Sequence, residues 1–261
     1  MSVLETTLCL VHDMATRQAA LALIEQGLSL NATSKRLGVS RAALREWRDR
    51  GPTSRKRLSS CPRCQPDTDL DSLAYAYLLG SYLGDGCISE LRRGVFSLRV
   101  TCCLDYPGII METGDAMQAV HPHGRVSTAD APGCLNVVAY WKHWPCLFPQ
   151  HGPGRKHTRP IVLAPWQREI VEQHTGRFLR GLFHSDGCRF TNWTEKTVAG
   201  ARRRYEYPRY MFTNRSTDIL ALCGWALDLL DIDWRMANAR NLSVARRAAV
   251  AALDRHVGPK S

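Results

Sequence analysis

Two acidic residues, Asp85 and Asp186, stand in nearly the same surroundings 101 residues apart. Each closes an apolar run, Leu78-Leu79-Gly80-Ser81-Tyr82-Leu83-Gly84-Asp85-Gly86 and Leu179-Arg180-Gly181-Leu182-Phe183-His184-Ser185-Asp186-Gly187. If the two runs are helices that lie together, their ends bring two carboxylates side by side, where like charges repel strongly at low dielectric. A divalent cation such as Mg²⁺ relieves that repulsion. Carboxylates sharing such ions can bind a phosphate, activate a water and stabilise the leaving oxygen of an in-line displacement. Asp-Gly also ends many helices with no chemistry attached, but two copies at domain-like spacing favour the paired acids.

The elements that must position these acids are legible around them. Gly80 and Gly181 sit inside their runs at a cost of about 1 kcal/mol each relative to alanine, which close backbone approach would explain. Each acid is followed by a cysteine (Cys87, Cys188), then a hairpin-forming stretch, then an amphipathic helix. In the second copy Phe212-Thr213-Asn214-Arg215-Ser216 leads into Ile219, Leu220, Leu222, Trp225, Leu229 and Leu230. In the first, Thr101-Cys102-Cys103-Leu104-Asp105 leads into Ile109, Ile110, Met117 and Val120. Both halves close on a Gly/Pro-rich basic turn whose lysine, Lys156 or Lys260, lies 71 or 74 residues after its acid.

The doubled motif resembles that of the LAGLIDADG homing endonucleases in their single-chain, two-repeat form, over roughly residues 70–261. That resemblance implies an α+β fold of two pseudo-symmetric αββαββα repeats whose motif helices meet and whose antiparallel sheets form a DNA-binding saddle. It implies domains at 70–165 and 166–261, and a monomer that cleaves double-stranded DNA hydrolytically at a long asymmetric site with two or three shared Mg²⁺ ions. Asp85 and Asp186 are carried over as catalytic metal ligands, aided by the carbonyls of Gly84 and Ser185. Lys156 and Lys260 match the basic residues that activate water or stabilise phosphorane charge; Gly-Pro-Lys is equally an ordinary exposed turn. Leu83 and His184 replace the motif's variable first Asp. The ends, Met1-Ser2-Val3 and Pro259-Lys260-Ser261, lack the splicing residues of an intein, so a free-standing protein is expected.

Residues 1–50 read as a separate, small all-α helix-turn-helix domain. One helix is expected from Ala15 to Gln26 with Ala19, Leu21, Leu23 and Ile24 turned inward. Ser29 caps a second through Leu37, Gly38 turns the chain, and Ser40 caps a third over 41–50. Ala32 and Ser34 would allow close packing, Val39, Leu44 and Trp47 would fill the core, and Arg41, Arg45 and Arg48 would point outward, able to reach guanine edges or phosphates. Residues 51–69 read as a basic linker rich in Pro, Ser and Arg.

The net charge of +11 over 261 residues draws the chain to polyanions. With neither a long apolar run nor a signal peptide, a cytoplasmic location is expected. Expected DNA contacts on the sheets are Arg92, Arg93 and Arg99 in the first repeat and Arg189, Asn192, Lys196, Arg202, Arg203, Arg204 and Arg209 in the second. Ten cysteines argue for reduced thiols or metal. Cys61-Pro62-Arg63-Cys64 is half a zinc-ribbon signature with no second half; Cys102, Cys103, Cys134, Cys146, His121, His123, His151 or His157 could complete a structural Zn²⁺ site. Two functions besides nuclease stay open: a transcriptional regulator keeping the fold without cleavage, and an intron RNA-binding maturase.

Overall fold

The computed structural model describes residue 12 and residues 14–50, 61–65, 68–198 and 200–260. The chain falls into two units, Met1–Ser59 and Ser60–Ser261. The first holds three helices, α1 (Met14–Glu25), α2 (Leu30–Leu37) and α3 (Arg41–Arg50). The Ser29 and Ser40 hydroxyls accept from the N–H groups of Ala32 and Ala43, each at 3.2 Å, so the caps read from sequence are present. Gly38 ends α2 at φ 66, a left-handed conformation that glycine adopts without strain. The core is Ala20, Val39, Leu44 and Trp47. Ala20 takes the place expected for Ala19, which is exposed, and buried Thr33 lies between Ala32 and Ser34. Most of the expected linker, residues 51–60, lies outside the described residues.

The second unit contains the same sequence of elements twice. The first repeat runs α4 (Ser72–Leu83), β1 (Gly86–Glu90), β2 (Phe96–Cys103), α5 (Pro107–Val120), β3 (Val126–Ala131), β4 (Cys134–Trp141) and α6 (Trp144–Leu147). Helix α7 (Pro165–Gln173) follows, which the sequence did not suggest. The second repeat runs α8 (Thr175–Asp186), β5 (Gly187–Val198), β6 (Ala201–Thr213), α9 (Thr217–Asp228), β7 (Arg235–Asn238), β8 (Asn241–Val244) and α10 (Arg247–Val257). Their sheets have equivalent strand orders, β1-β2-β4-β3 and β5-β6-β8-β7, all neighbours antiparallel. The expected pair of αββαββα repeats is therefore present. Because α9 stops at Asp228, Leu229 leaves the expected apolar face and is exposed.

Helices α4 and α8 meet backbone to backbone. A Cβ on Gly80 would stand 2.3 Å from the Phe178 carbonyl oxygen, and one on Gly181 2.1 Å from that of Tyr77. Residues 74–83 of α4 are all buried, so its hydroxyls need partners inside the protein. Tyr75 donates to the Leu147 carbonyl and accepts from Gln167 of α7 at 2.6 Å; Ser81 donates to the Tyr77 carbonyl at 3.0 Å. Across the same seam Glu112 of α5 binds Arg177 at 2.7 Å and Arg180 at 2.8 and 2.9 Å, both on α8. Burial alone would raise the Glu112 pKa, but the two guanidiniums outweigh it and hold it below the usual range.

The seam and α5 make opposite demands on glycine. Gly80→Ala and Gly181→Ala drive a methyl group into backbone, so each should cost at least the ~1–3 kcal/mol typical of overpacking, lowering Tm by about 2–4 °C per kcal/mol. Gly114 lies within α5 with nothing nearer than 4.0 Å to an added Cβ, so Gly114→Ala should raise Tm through helix propensity. Thermal melts of the three variants read the contrast; equal Tm changes would contradict it.

Candidate active site at the helix seam

The seam delivers both acids to one end. Gly84 ends α4 one residue before Asp85, while Asp186 is the last residue of α8. A Cβ on Gly84 would stand 2.3 Å from that of Ser185 and 3.3 Å from an Asp186 carboxylate oxygen, so only glycine permits this approach. Burial, with the charge of Asp85 added, pushes the Asp186 pKa up to about 6 against the pull of Asn214, Lys156 and Lys260. Burial also raises Asp85, outweighing both lysines, although this residue keeps exposed surface through which water screens its charge.

Each lysine lies where the two repeats cross. Lys156 donates its Nζ to the carbonyls of Tyr82, Gly84 and Gly86 at 2.5, 2.5 and 2.9 Å, and Lys260 approaches the Ser185 carbonyl at 3.4 Å. Lys156 shares a cavity of 480 Å³ with Asp186, whereas Lys260 shares one of 80 Å³ with Asp85. Each ammonium therefore binds a carbonyl of its own repeat and faces the acid of the other. Burial draws Lys156 down to about 8 despite both carboxylates, Asp186 contributing the larger opposing pull. The carbonyls expected as metal ligands, Gly84 and Ser185, here accept from lysine.

The sheets supply residues that the sequence reading missed. Thr101 donates to Asn136 at 2.8 Å and Thr213 to Asn241 at 2.7 Å, each pair directly opposed across neighbouring strands. Asn214 donates from Nδ2 to Asp186 at 2.7 Å, and its Oδ1 accepts from the Ser216 N–H at 2.8 Å. Gly86 pairs with Val100 and Gly187 with Phe212, so Cys102 occupies in the first repeat the place of Asn214 in the second. The parallel segments Val100-Thr101-Cys102 and Phe212-Thr213-Asn214 carry the only sequence signal for this arrangement. His184 is buried at the seam, drawn down to about 4 mainly by burial, with Nε2 3.2 Å from the Val257 carbonyl and Nδ1 3.6 Å from Glu112.

Strand register sorts the expected nucleic-acid contacts by face. Arg99 pairs opposite Cys87 and Val138, on the side away from buried Leu98 and Val100. Asn192, Lys196, Arg203 and Arg209 likewise lie on the face opposite buried Tyr210 and Phe212. Arg92 and Arg93 are exposed in the turn between β1 and β2. Arg189 instead shares the face of Tyr210 and forms a two-pronged bond to Asp254 of α10 at 2.8 and 2.9 Å. Arg202 and Arg204 share that helix-side face and pair with Glu195 and Glu206 at 3.7 and 2.8 Å. Arg41, Arg45 and Arg48 are exposed on α3, with Arg48 held by Asp49 at 3.0 Å. Cys61 and Cys64 lie outside both cavities and gather with His143 and Cys146. Cys102, Cys103, Cys134, His121, His123, His151 and His157 take no part in that group, and His143 was not foreseen.

No protein-family model and no curated protein matches the sequence. Among solved structures, the chain is similar to I-DmoI in complex with DNA and Mn, at 14% identity over 72% of this chain and 98% of that one, with a TM-score of 0.49. It is also similar to the homing endonuclease I-WcaI bound to its DNA recognition sequence, at 14% identity over 80% and 90% of the two chains and a TM-score of 0.44. A third similar structure is the LAGLIDADG meganuclease I-AabMI bound to uncleaved DNA, at 11% identity, 70% and 83% coverage and a TM-score of 0.44. No helix among the described residues is long and apolar enough to cross a membrane.

The strain at the acid pair gives a pH signature. The folded chain holds Asp186 protonated up to about 6, the unfolded chain only to about 4, so the Asp186 contribution to metal-free stability falls as pH rises between those values, opposite in slope to that of buried His184, whose folded pKa is about 4. Asp186→Asn lacks that slope and should melt a few degrees higher than wild type at neutral pH in a chelator. Melting curves across this pH range test it, and an Asn variant with the wild-type slope would contradict it.

Proposed function

We propose that this protein is a divalent-metal-dependent, site-specific endonuclease that cuts both strands of a long, asymmetric DNA target as a monomer. The observation that carries the reading is the convergence of Asp85 and Asp186, from two copies of one motif, at the end of a glycine-lined helix pair beside two sheets. The donor set there is entirely oxygen, two carboxylates plus the Gly84 and Ser185 carbonyls, which suits a hard cation such as Mg²⁺. Raised carboxylates in a concave, partly dry site are what a cation would relieve.

A Mg²⁺ ion held by Asp85 and Asp186 would supply an acidified water and charge compensation at a phosphodiester. The chain's own residues do the rest. Asn214 fixes the orientation of Asp186 through its amide. Lys156 and Lys260, each facing the opposite repeat's acid, bring positive charge to where a pentacovalent phosphate would develop negative charge. With a pKa of about 8, Lys156 can also hand over or take up a proton near neutral pH. A cation on the Gly84 carbonyl would stand beside the Lys156 ammonium that now donates to it, two positive charges at one oxygen. Arg99, Lys196, Arg203 and Arg209 present charge on the sheet faces turned away from the helices, suited to a duplex.

One observation favours a second reading. The separate three-helix unit, with Arg41, Arg45 and Arg48 exposed along α3, is what a DNA-binding regulator without cleavage would also carry.

Selection of duplexes bound from a random library in Ca²⁺, then challenge of the winners with Mg²⁺, separates the two. Sequence-specific double-strand cuts by wild type, lost in Asp85→Asn and Asp186→Asn with affinity largely retained, are the expected result. Specific binding with no cutting by any of the three would establish the regulator. Arg203→Ala should weaken binding and lower the salt slope by about 1, whereas Arg189→Ala should mainly lower Tm by freeing Asp254. Filter binding across salt and thermal melts check that pair.

A further inference from the structure

A second set of ligating side chains lies apart from the acids. Cys61, Cys64, His143 and Cys146 place their ligand atoms within 4.8 Å of one another, and none of the four lines either cavity that holds Asp85 or Asp186. Two short turns face each other here. In the first, the Cys64 and Gln65 N–H groups donate to the Cys61 carbonyl at 3.0 and 2.9 Å; in the second, the Cys146 N–H donates to the His143 carbonyl at 3.0 Å. Each turn thus offers two side chains three residues apart, Cys-x-x-Cys and His-x-x-Cys.

The spacing matches a tetrahedral ion. With Zn–S near 2.3 Å and Zn–N near 2.0 Å, tetrahedral geometry puts two sulfurs about 3.8 Å apart and a sulfur and nitrogen about 3.5 Å apart. Cys64 Sγ lies 3.4 Å from His143 Nδ1 and 3.7 Å from Cys146 Sγ, and Cys146 Sγ lies 3.7 Å from His143 Nδ1. A Cys64–Cys146 disulfide would need the sulfurs at about 2.05 Å and would leave Cys61 and His143 out. The surroundings hold the ligands in place: Cys61 is fully buried against the core, and the Trp141 ring meets that of His143 edge-on at 5.4 Å.

We infer that Cys61, Cys64, His143 and Cys146 bind one structural Zn²⁺ ion that staples the segment entering the second unit to the β4–α6 corner of the first repeat. Four protein ligands close the coordination sphere, so the ion serves structure and leaves no position for substrate. It ties together residues about eighty apart in sequence, and its binding free energy becomes folding free energy. The bound segment leads directly into α4, the helix that carries Asp85, and Arg63 within it stacks over Trp166 of α7 at 4.6 Å. The inference is independent of whether the acid pair cleaves DNA.

The test uses the full chain purified without added metal. Elemental analysis should find one zinc per chain, and exchange with Co²⁺ should give the visible d–d bands and near-ultraviolet sulfur charge transfer of tetrahedral thiolate cobalt. Cys64→Ser and His143→Ala should lose the zinc or hold it far more weakly, whereas Cys134→Ser and the Asp85→Asn/Asp186→Asn double variant should keep a full equivalent. A zinc-selective chelator should lower the wild-type Tm and leave that of Cys64→Ser unchanged. Wild type with far less than one zinc per chain and no thiolate cobalt bands would overturn the inference, whatever the variants do. So would a full zinc equivalent in Cys64→Ser, or its loss from the acid double variant.

Discussion

Everything at the centre of this molecule depends on how closely two helices can approach. At Gly80 and Gly181 the contact between α4 and α8 is backbone against backbone, with no room for a methyl group on either side. An ordinary helix pair is held 8–10 Å apart by side chains, and at that distance the acids at the helix ends would belong to separate sites. Removing the side chains at one crossing lets Gly84 touch Ser185 and puts Asp85 within electrostatic reach of Asp186. The sheets, anchored to these helices, inherit their mutual placement from the same contact.

Such closeness concentrates charge in a partly dry place, and the structure offsets it locally. Asn214 holds one carboxylate, and the two lysines face the pair from opposite sides. On the flank, Glu112 takes two arginines, while His184 stays neutral because burial and Arg180 disfavour its charged form. Cation and anion alternate along the seam, so no buried charge there lacks a counterpart. Even with both lysines facing it, the carboxylate pair keeps its pKa values raised, and its chemistry asks for a divalent cation.

Much of this was legible in the sequence, for a physical reason. A duplicated motif keeps its own spacing, so two glycines and two acids announce a helix pair and its product. Ser29, Ser40 and Gly38 announce helix boundaries because capping and left-handed turns admit few residue types. What escaped is held by polar contacts or by distant pairing. Helix α7 is fastened through buried Gln167, which binds Tyr75 and Gln150, and presents no apolar stripe long enough to notice. His143 pairs locally with Cys146, but the Cys-x-x-Cys that completes the group lies about eighty residues earlier, so only the fold brings the two halves together. Arg189 reads as a surface charge until the register turns it toward Asp254, and the crossing of each lysine to the other repeat's acid depends on the tertiary fold.

The exchange of Asn214 for Cys102 shows what fusion of the two repeats permits. A homodimer built on the same plan would have to place one side chain beside both acids, since a twofold axis copies every choice. Joined in one polypeptide, the halves are released from that identity while the glycine contact still holds them in register. One acid is gripped by an amide, and the other stands near a thiol that is turned to Thr113. The two halves of the centre are thus chemically inequivalent, although one glycine contact positions both.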